Sequence, residues 1–148
     1  REGAEIRTLL EGHNQAIRRD TCEIEKLRAP AVDHFRARLE ERLAELLKSV
    51  VMDPQRLAQE AALLADRSDI TEELGRLQVH SRELDALLAK GGELGKKLDF
   101  LMQEMNRETN TILSKTSGVG ELGLKITALG LEVKANIERI REQVLNLE

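Results

Sequence analysis

Apolar residues recur along this chain at intervals of three and four almost from end to end, the spacing of one face of an α-helix. Up to about Ala29 the stripe is Ile6, Leu10, Ile17, Ile24 and Leu27, with His13 and Asp20 at seam positions that a strict coiled coil fills with apolar side chains. Pro30 predicts a kink or break, because it lacks a backbone donor and its ring clashes with the preceding turn. The pattern resumes at Val32, Phe35, Leu39, Leu43, Leu46 and Val50, so residues 1–52 read as a long helical arm, kinked or interrupted at Pro30. Asp53-Pro54 then starts a helix, with Asp as the cap and Pro at the first helical position. Leu57, Ala61 and Leu64 carry that helix to about Asp66. Arg67-Ser68 is either a second boundary, capped by Ser68 or Asp69, or a point the helix runs through. Ile70, Leu74, Leu77, Leu84 and Leu88 form the next stripe, which Gly91-Gly92 ends. A helix over 95–115 buries Leu98, Leu101, Met102, Met105, Ile112 and Leu113. After a turn over 116–120, the last stripe is Ile126, Leu129, Val133, Ile137, Ile140, Val144 and Leu147, weakened at its start by Gly123 and Gly130. No segment alternates as a strand would. The expected fold is mainly α, with long helices packed as an elongated bundle.

Composition agrees. Aromatic residues make up 1% of the 148 positions and charged residues 34%, the profile of long helices, while 41% apolar content argues against disorder. Long helices make thin cores, so part of the apolar surface is expected to need a second subunit, and the bundle to be completed by oligomerisation. A single cysteine, Cys22, permits neither an internal disulfide nor a thiolate metal cage. No apolar run approaches membrane-spanning length and no signal peptide opens the chain, so a soluble cytoplasmic setting without a membrane partner is expected.

The polar positions fall into stripes as well. With about 100° between successive helical residues, Asp99, Gln103, Asn106 and Asn110 share one narrow stripe of the 95–115 helix. Glu104, Glu108, Thr111 and Lys115 form a second, with Arg107 between the two. Two Asn and two Thr within six residues are not what helix propensity selects. In the preceding helix, Asp69, Glu73, Arg76 and His80 point the same way, with Glu72 beside them. The net charge of −4 is concentrated here, since residues 53–93 carry nine acidic against five basic groups, whereas 94–116 carry three against four. An acidic excess does not favour nucleic-acid binding, so RNA would need basic contacts from outside this chain.

No phosphate-binding Gly-rich loop, zinc-ligand spacing or nucleophile elbow is present, which leaves carboxylates, amides, one suggestive histidine and a few cations. Carboxylates one helical turn apart can share a divalent cation, so Asp69, Glu72, Glu73, Glu104 and Glu108 are the candidate ligands for Mg²⁺ or Mn²⁺. A solvated face would carry the same residues. His80 is a candidate acid–base group, a metal ligand or a packing histidine, whereas His13 and His34 read as surface histidines. Arg107 and Lys115 suit a scissile phosphate and its developing charge. Arg76, Gln103, Asn106 and Asn110 suit RNA contacts through phosphate, ribose hydroxyl or base edge, although an amide row also serves to fix register between helices. With so few aromatics, stacking is not expected to be the main grip on RNA.

Three stretches, KKLDFLMQEMNRETNTILSK, QRLAQEAALLADRSDITEELGRLQVH and LEVKANIERIREQVLNLE, closely resemble the C-terminal region of the YicC/YloC-like endoribonuclease family. The resemblance covers residues 53–148 well and the first fifty or so more loosely. It implies a bacterial, cytoplasmic enzyme that cuts RNA internally, working as a ring-like homo-oligomer, a hexamer. It also implies a preceding domain of mixed strands and helices, and the chain opens on Arg1. Residues 1–52 are then the arm leading to that domain and 53–148 the helical C-terminal domain. With the carboxylates above, the reading is a metal-dependent endoribonuclease with Glu73, His80, Arg107 and Lys115 as its catalytic groups. The rival is a non-catalytic helical module for oligomerisation or RNA binding.

Overall fold

The computed structural model describes residues 2–48, 50–51, 53–118 and 120–147. They form five helices, α1 (Glu2–Leu46), α2 (Pro54–Asp66), α3 (Thr71–Lys90), α4 (Gly95–Thr116) and α5 (Gly120–Leu147), with no strand among the described residues. None of these helices is long and apolar enough to cross a membrane.

α1 runs 45 residues without interruption, about 68 Å at 1.5 Å per residue, with Pro30 inside it. The break expected at Pro30 is absent for a physical reason. Pro30 and Lys26, whose carbonyl loses its partner, are both exposed, so water can satisfy that carbonyl. Ile24 and Ala31, either side, are anchored in the core at 0% and 3% exposure. The seam also differs from the expected one. Leu10, Ile17, Ile24 and Ala31 are buried at intervals of seven, and the polar residues alternating with them are Asn14 and Thr21 rather than His13 and Asp20.

The other boundaries follow local chemistry. Asp53 caps α2 by accepting the Gln55 N–H at 3.1 Å, with Pro54 opening the helix. Of the two readings of Arg67-Ser68, the boundary is the one realised. Ser68 folds back onto the Ala65 carbonyl at 2.6 Å, and Asp69 accepts both the Thr71 N–H at 3.1 Å and its hydroxyl at 2.5 Å. α3 stops at Gly91, whose φ of 75° a side chain would strain.

α1 packs on α3 and on α5, and α4 packs on those same two helices, while the diagonal pairs do not approach among the described residues. Cross-helix contacts give the directions. Asn14 reaches Ser81 and Arg28 Thr71, Glu73 reaches Lys115 and Arg76 Glu108, Asn110 reaches Lys134 and Asp99 Arg141, and His13 reaches Asn136 and Asp20 Glu132, so each neighbouring pair runs antiparallel. The result is a four-sided, up-down-up-down bundle. α2 lies along the far part of α1, against which it buries Ala61 and Ala65.

The core is a single cluster to which all four walls contribute, with Ile17, Leu74, Leu77, Leu84, Leu98, Met102, Met105, Val133, Ile137 and Ile140 at 0% exposure or close to it. Leu113, expected in that core, is only half-buried, and the side chain of Leu147 lies outside the described residues. Beyond Ala31 the cover thins. Val32, Phe35, Leu39 and Leu43 are half-buried, and Leu46 and Val50 stand 71% and 57% exposed.

Candidate functional site

The antiparallel register of α3 and α4 brings two of the polar stripes together. Glu73, Arg76 and His80 lie along one side of α3, with Asp69 just before its start, and Glu73 and Arg76 meet the stripe of α4 that carries Glu108 and Lys115. Glu73 is 6% exposed, and its Oε2 accepts from Lys115 Nζ at 2.9 Å. The same amine donates to the Asp69 carbonyl at 3.1 Å. Burial alone would raise the Glu73 carboxyl, but the Lys115 hydrogen bond, its own backbone N–H and the charges of Lys115 and Arg76 outweigh that and hold it below the ordinary value. Glu73 is therefore a carboxylate at neutral pH. Its second oxygen, Oε1, is buried with no hydrogen-bond partner among the described residues.

One turn along, Arg76 grips Glu108 with two nitrogens, Nε to Oε2 at 2.5 Å and Nη2 to Oε1 at 3.2 Å. Its guanidinium also lies 3.7 Å from Glu72 and 4.0 Å from Glu73, and these partners raise its already high pKa. His80, a turn further, has a side chain only 19% exposed, with Nδ1 3.5 Å from Glu83. That is too long for a good hydrogen bond, and Nδ1 is buried without a partner among the described residues.

The remaining candidates lie elsewhere. The stripe of Asp99, Gln103, Asn106 and Asn110 turns toward α5. Asn110 Oδ1 accepts from Lys134 Nζ at 2.9 Å, Asp99 lies 3.9 Å from Arg141, and Gln103 donates to Asp99 on its own helix at 3.0 Å. Asn106 Oδ1 is buried with no partner among the described residues. Arg107 is 74% exposed and reaches only Glu104, at 3.9 Å, among ionic partners on the described residues.

The five candidate metal ligands do not converge. Among the described residues no group of three or more His, Cys, Asp or Glu side chains is arranged to hold a metal ion. Asp69 Oδ1 is occupied by Thr71, which lowers the Asp69 pKa, both Glu108 oxygens bond Arg76, and Glu104 sits beside Arg107. Among the described residues, Glu73 Oε1, the second Asp69 oxygen and the carboxylates of Glu72 and Glu104, which lie 3.7 and 3.9 Å from an arginine, are not drawn together at one point, so one copy of this chain does not by itself fit a divalent cation.

Two features had no counterpart in the expectations. His13 is not a free surface histidine, because Nδ1 lies 2.9 Å from Asn136 Oδ1 across the α1–α5 contact. Near it, Asp20 is pushed up to about 6 by burial, by the charge of Glu132 and by a hydrogen bond shared with it. The partners are more than a hundred residues apart in sequence, so no local signal marks them. His34 is exposed, as expected.

Comparison with known proteins bears out the resemblance. The family described as endoribonuclease YicC-like, C-terminal, matches residues 24–148, reaching back into α1. A probable endoribonuclease YicC of Clostridioides difficile is 47% identical over 127 residues, 85% of this chain and 42% of that relative. A probable endoribonuclease YicC of Haemophilus influenzae is 40% identical over all 148 residues, which is 49% of its own length. The chain thus spans about half the length of the curated relatives it matches. Matched along most of its residues by this family, and by relatives at 40% identity and above, the chain belongs to the YicC-like endoribonucleases.

Proposed function

We propose that this chain is the helical part of an enzyme that cuts RNA internally, and that the α3–α4 seam is its contribution to the cleavage site. One observation carries the assignment to these residues. A buried, ionised carboxylate, Glu73, keeps one oxygen without a partner among the described residues and lies two turns from a buried histidine nitrogen that also lacks one there. Buried polar atoms are almost always bonded, and exceptions cluster where a ligand completes them. In this reading Glu73 accepts a proton or a ligand hydrogen bond, and His80 exchanges a proton with the ribose hydroxyl or the leaving oxygen. Lys115 and Arg76 lend positive charge to the phosphate as it gains negative charge. Arg107, exposed one face away, meets the phosphate backbone of the incoming strand.

A divalent cation such as Mg²⁺ or Mn²⁺ would be held by Glu73 Oε1 and Glu72, with its other ligands from RNA or from another copy. We also propose a homo-oligomer, which the family resemblance suggests is a hexamer. Leu124, Leu131 and Leu145 stand 54–72% exposed along one α5 face, and Leu46, Val50, Val51 and Leu63 are exposed at the α1–α2 end. We place this activity in the cytoplasm, where its RNA substrate is made.

The test is RNA cleavage by the intact protein carrying Glu73→Gln or His80→Gln, beside binding of the same RNA. Turnover should fall by at least about a hundredfold, the usual scale for a proton-transfer group, with affinity nearly unchanged. Variants that bind and cut RNA normally would reduce the seam to a structural clamp, and the non-catalytic scaffold would be the better reading.

A further inference from the structure

We infer that the groove between the end of α3 and the start of α4 is a subsite for single-stranded RNA, with Phe100 as a stacking platform and Lys90, Lys96 and Lys97 as phosphate contacts. This rests on the RNA-cleaving reading above and adds a place where the strand is held away from the reacting bond. Ala86, Leu87 and Leu101 make the apolar floor, and the ring of Phe100 stands 61% exposed beside them. Phe100 belongs to the solvent side of α4 and stands outside the hydrophobic core, although the chain has only two Phe and no Trp or Tyr.

Charge identifies the occupant. The chain carries a net −4, yet Lys90, Lys96 and Lys97 surround this one ring. None of the three has an ion-pair partner among the described residues, whereas Lys26 and Lys115 do. A fourth cation, Arg7, reaches the adjoining turn, where its Nη2 would lie 2.9 Å from a Cβ on Gly91. Glu83 lines the groove at its α3 side, one carboxylate against the three lysines, and Asp99 is turned toward Arg141. An apolar floor with one exposed ring inside a rim of unpaired lysines fits a base on the ring with phosphates on the ammonium groups, the usual grip on single strands. An apolar protein helix would gain nothing from three lysines. The groove lies along the same α3–α4 seam, about 21 Å from Glu73 measured along α3 at 1.5 Å per residue, so one strand can occupy both.

The experiment measures anisotropy of a fluorescent 2′-O-methyl oligouridylate of about twelve nucleotides, a length within the range such sites take, against an RNA duplex of equal length, on the intact protein. Phe100→Leu should weaken single-strand binding by about five- to a hundredfold without changing its salt dependence, and Phe100→Tyr should restore it. The Lys96→Gln and Lys97→Gln pair should weaken binding and make the log–log salt slope shallower by about 0.7 for each lysine removed. Duplex binding should respond to the lysines alone. Phe100→Leu binding the oligonucleotide like the unaltered protein would overturn the subsite, even if Glu73→Gln abolishes cleavage and the RNA-cleaving reading stands. A Phe100→Leu protein that changes oligomer size while binding RNA normally would make the groove a protein contact instead. A protein that neither binds nor cuts RNA would overturn both readings.

Discussion

Breaking the contact between Glu73 and Lys115 separates what this pair does for the fold from what it does for chemistry. Glu73→Gln keeps the shape and one acceptor oxygen but removes the negative charge. Losing one partner of a fully buried pair costs about 3–5 kcal/mol, and losing one at the surface about 0–1 kcal/mol. Here the carboxylate side chain is 7% exposed and the amine 33%, and Lys115 keeps the Asp69 carbonyl, so the stranded cation is partly solvated. The expected cost is about 1–2 kcal/mol, or roughly 2–8 °C in Tm for a chain of this size. The carboxyl lies below its ordinary value of 4.5, so its contribution is present above about pH 4.5 and is lost as pH falls through the folded-state value. Urea unfolding at neutral pH and near pH 3.5 should therefore show the gap between variant and unaltered protein closing in acid. A double-mutant cycle with Lys115→Met should give a coupling of about 1 kcal/mol or more at neutral pH. Additive single effects would refute the pairing, and so would a gap that widens in acid.

The remaining predictions concern other parts of the molecule. Asp20 lies above its ordinary value of 3.8, so its protonated form favours the folded state, and that stability, complete below about pH 3.8, is lost as pH rises through about 6. Asp20→Asn should flatten this slope and, after allowance for solvent screening, stabilise the protein by about 0.5–1 kcal/mol at pH 7.5. An unchanged pH profile of urea unfolding would show that burial and Glu132 do not hold Asp20 above its ordinary value. Leu77→Ala, at a fully buried position, should cost about 3–4 kcal/mol. Leu131→Ala, at a position 54% exposed, should cost under about 0.5 kcal/mol in a single copy, yet shift the mass measured by light scattering if α5 is a subunit contact. A dispersed protein of unchanged mass in every α5 variant would remove that interface.

Element type and most boundaries were legible in the residues because the forces that set them are local. The i, i+3, i+4 spacing of Leu74, Leu77, Leu84 and Leu88, the Asp53-Pro54 start and the Gly91 stop each act within about one turn of chain. The division of the 95–115 helix into two polar stripes was legible for the same reason, since it depends only on rotation per residue. Which stripe meets which helix was not. Glu108 and Lys115 turn to α3, and Asn110 to α5, because four apolar faces must close on one core, and that closure sets neighbours and register. The same closure carries α1 straight through Pro30 and joins His13 to Asn136. It also explains why segment charge does not reveal one cluster of lysines. Lys90 falls in an acidic stretch and Lys96 and Lys97 in the next, and only the antiparallel return of α4 along α3 assembles them around Phe100. Local patterning thus decided what each helix is and how far it runs. The packing of faces distant in sequence decided which polar groups are paired, which are left free, and where the chemistry can be.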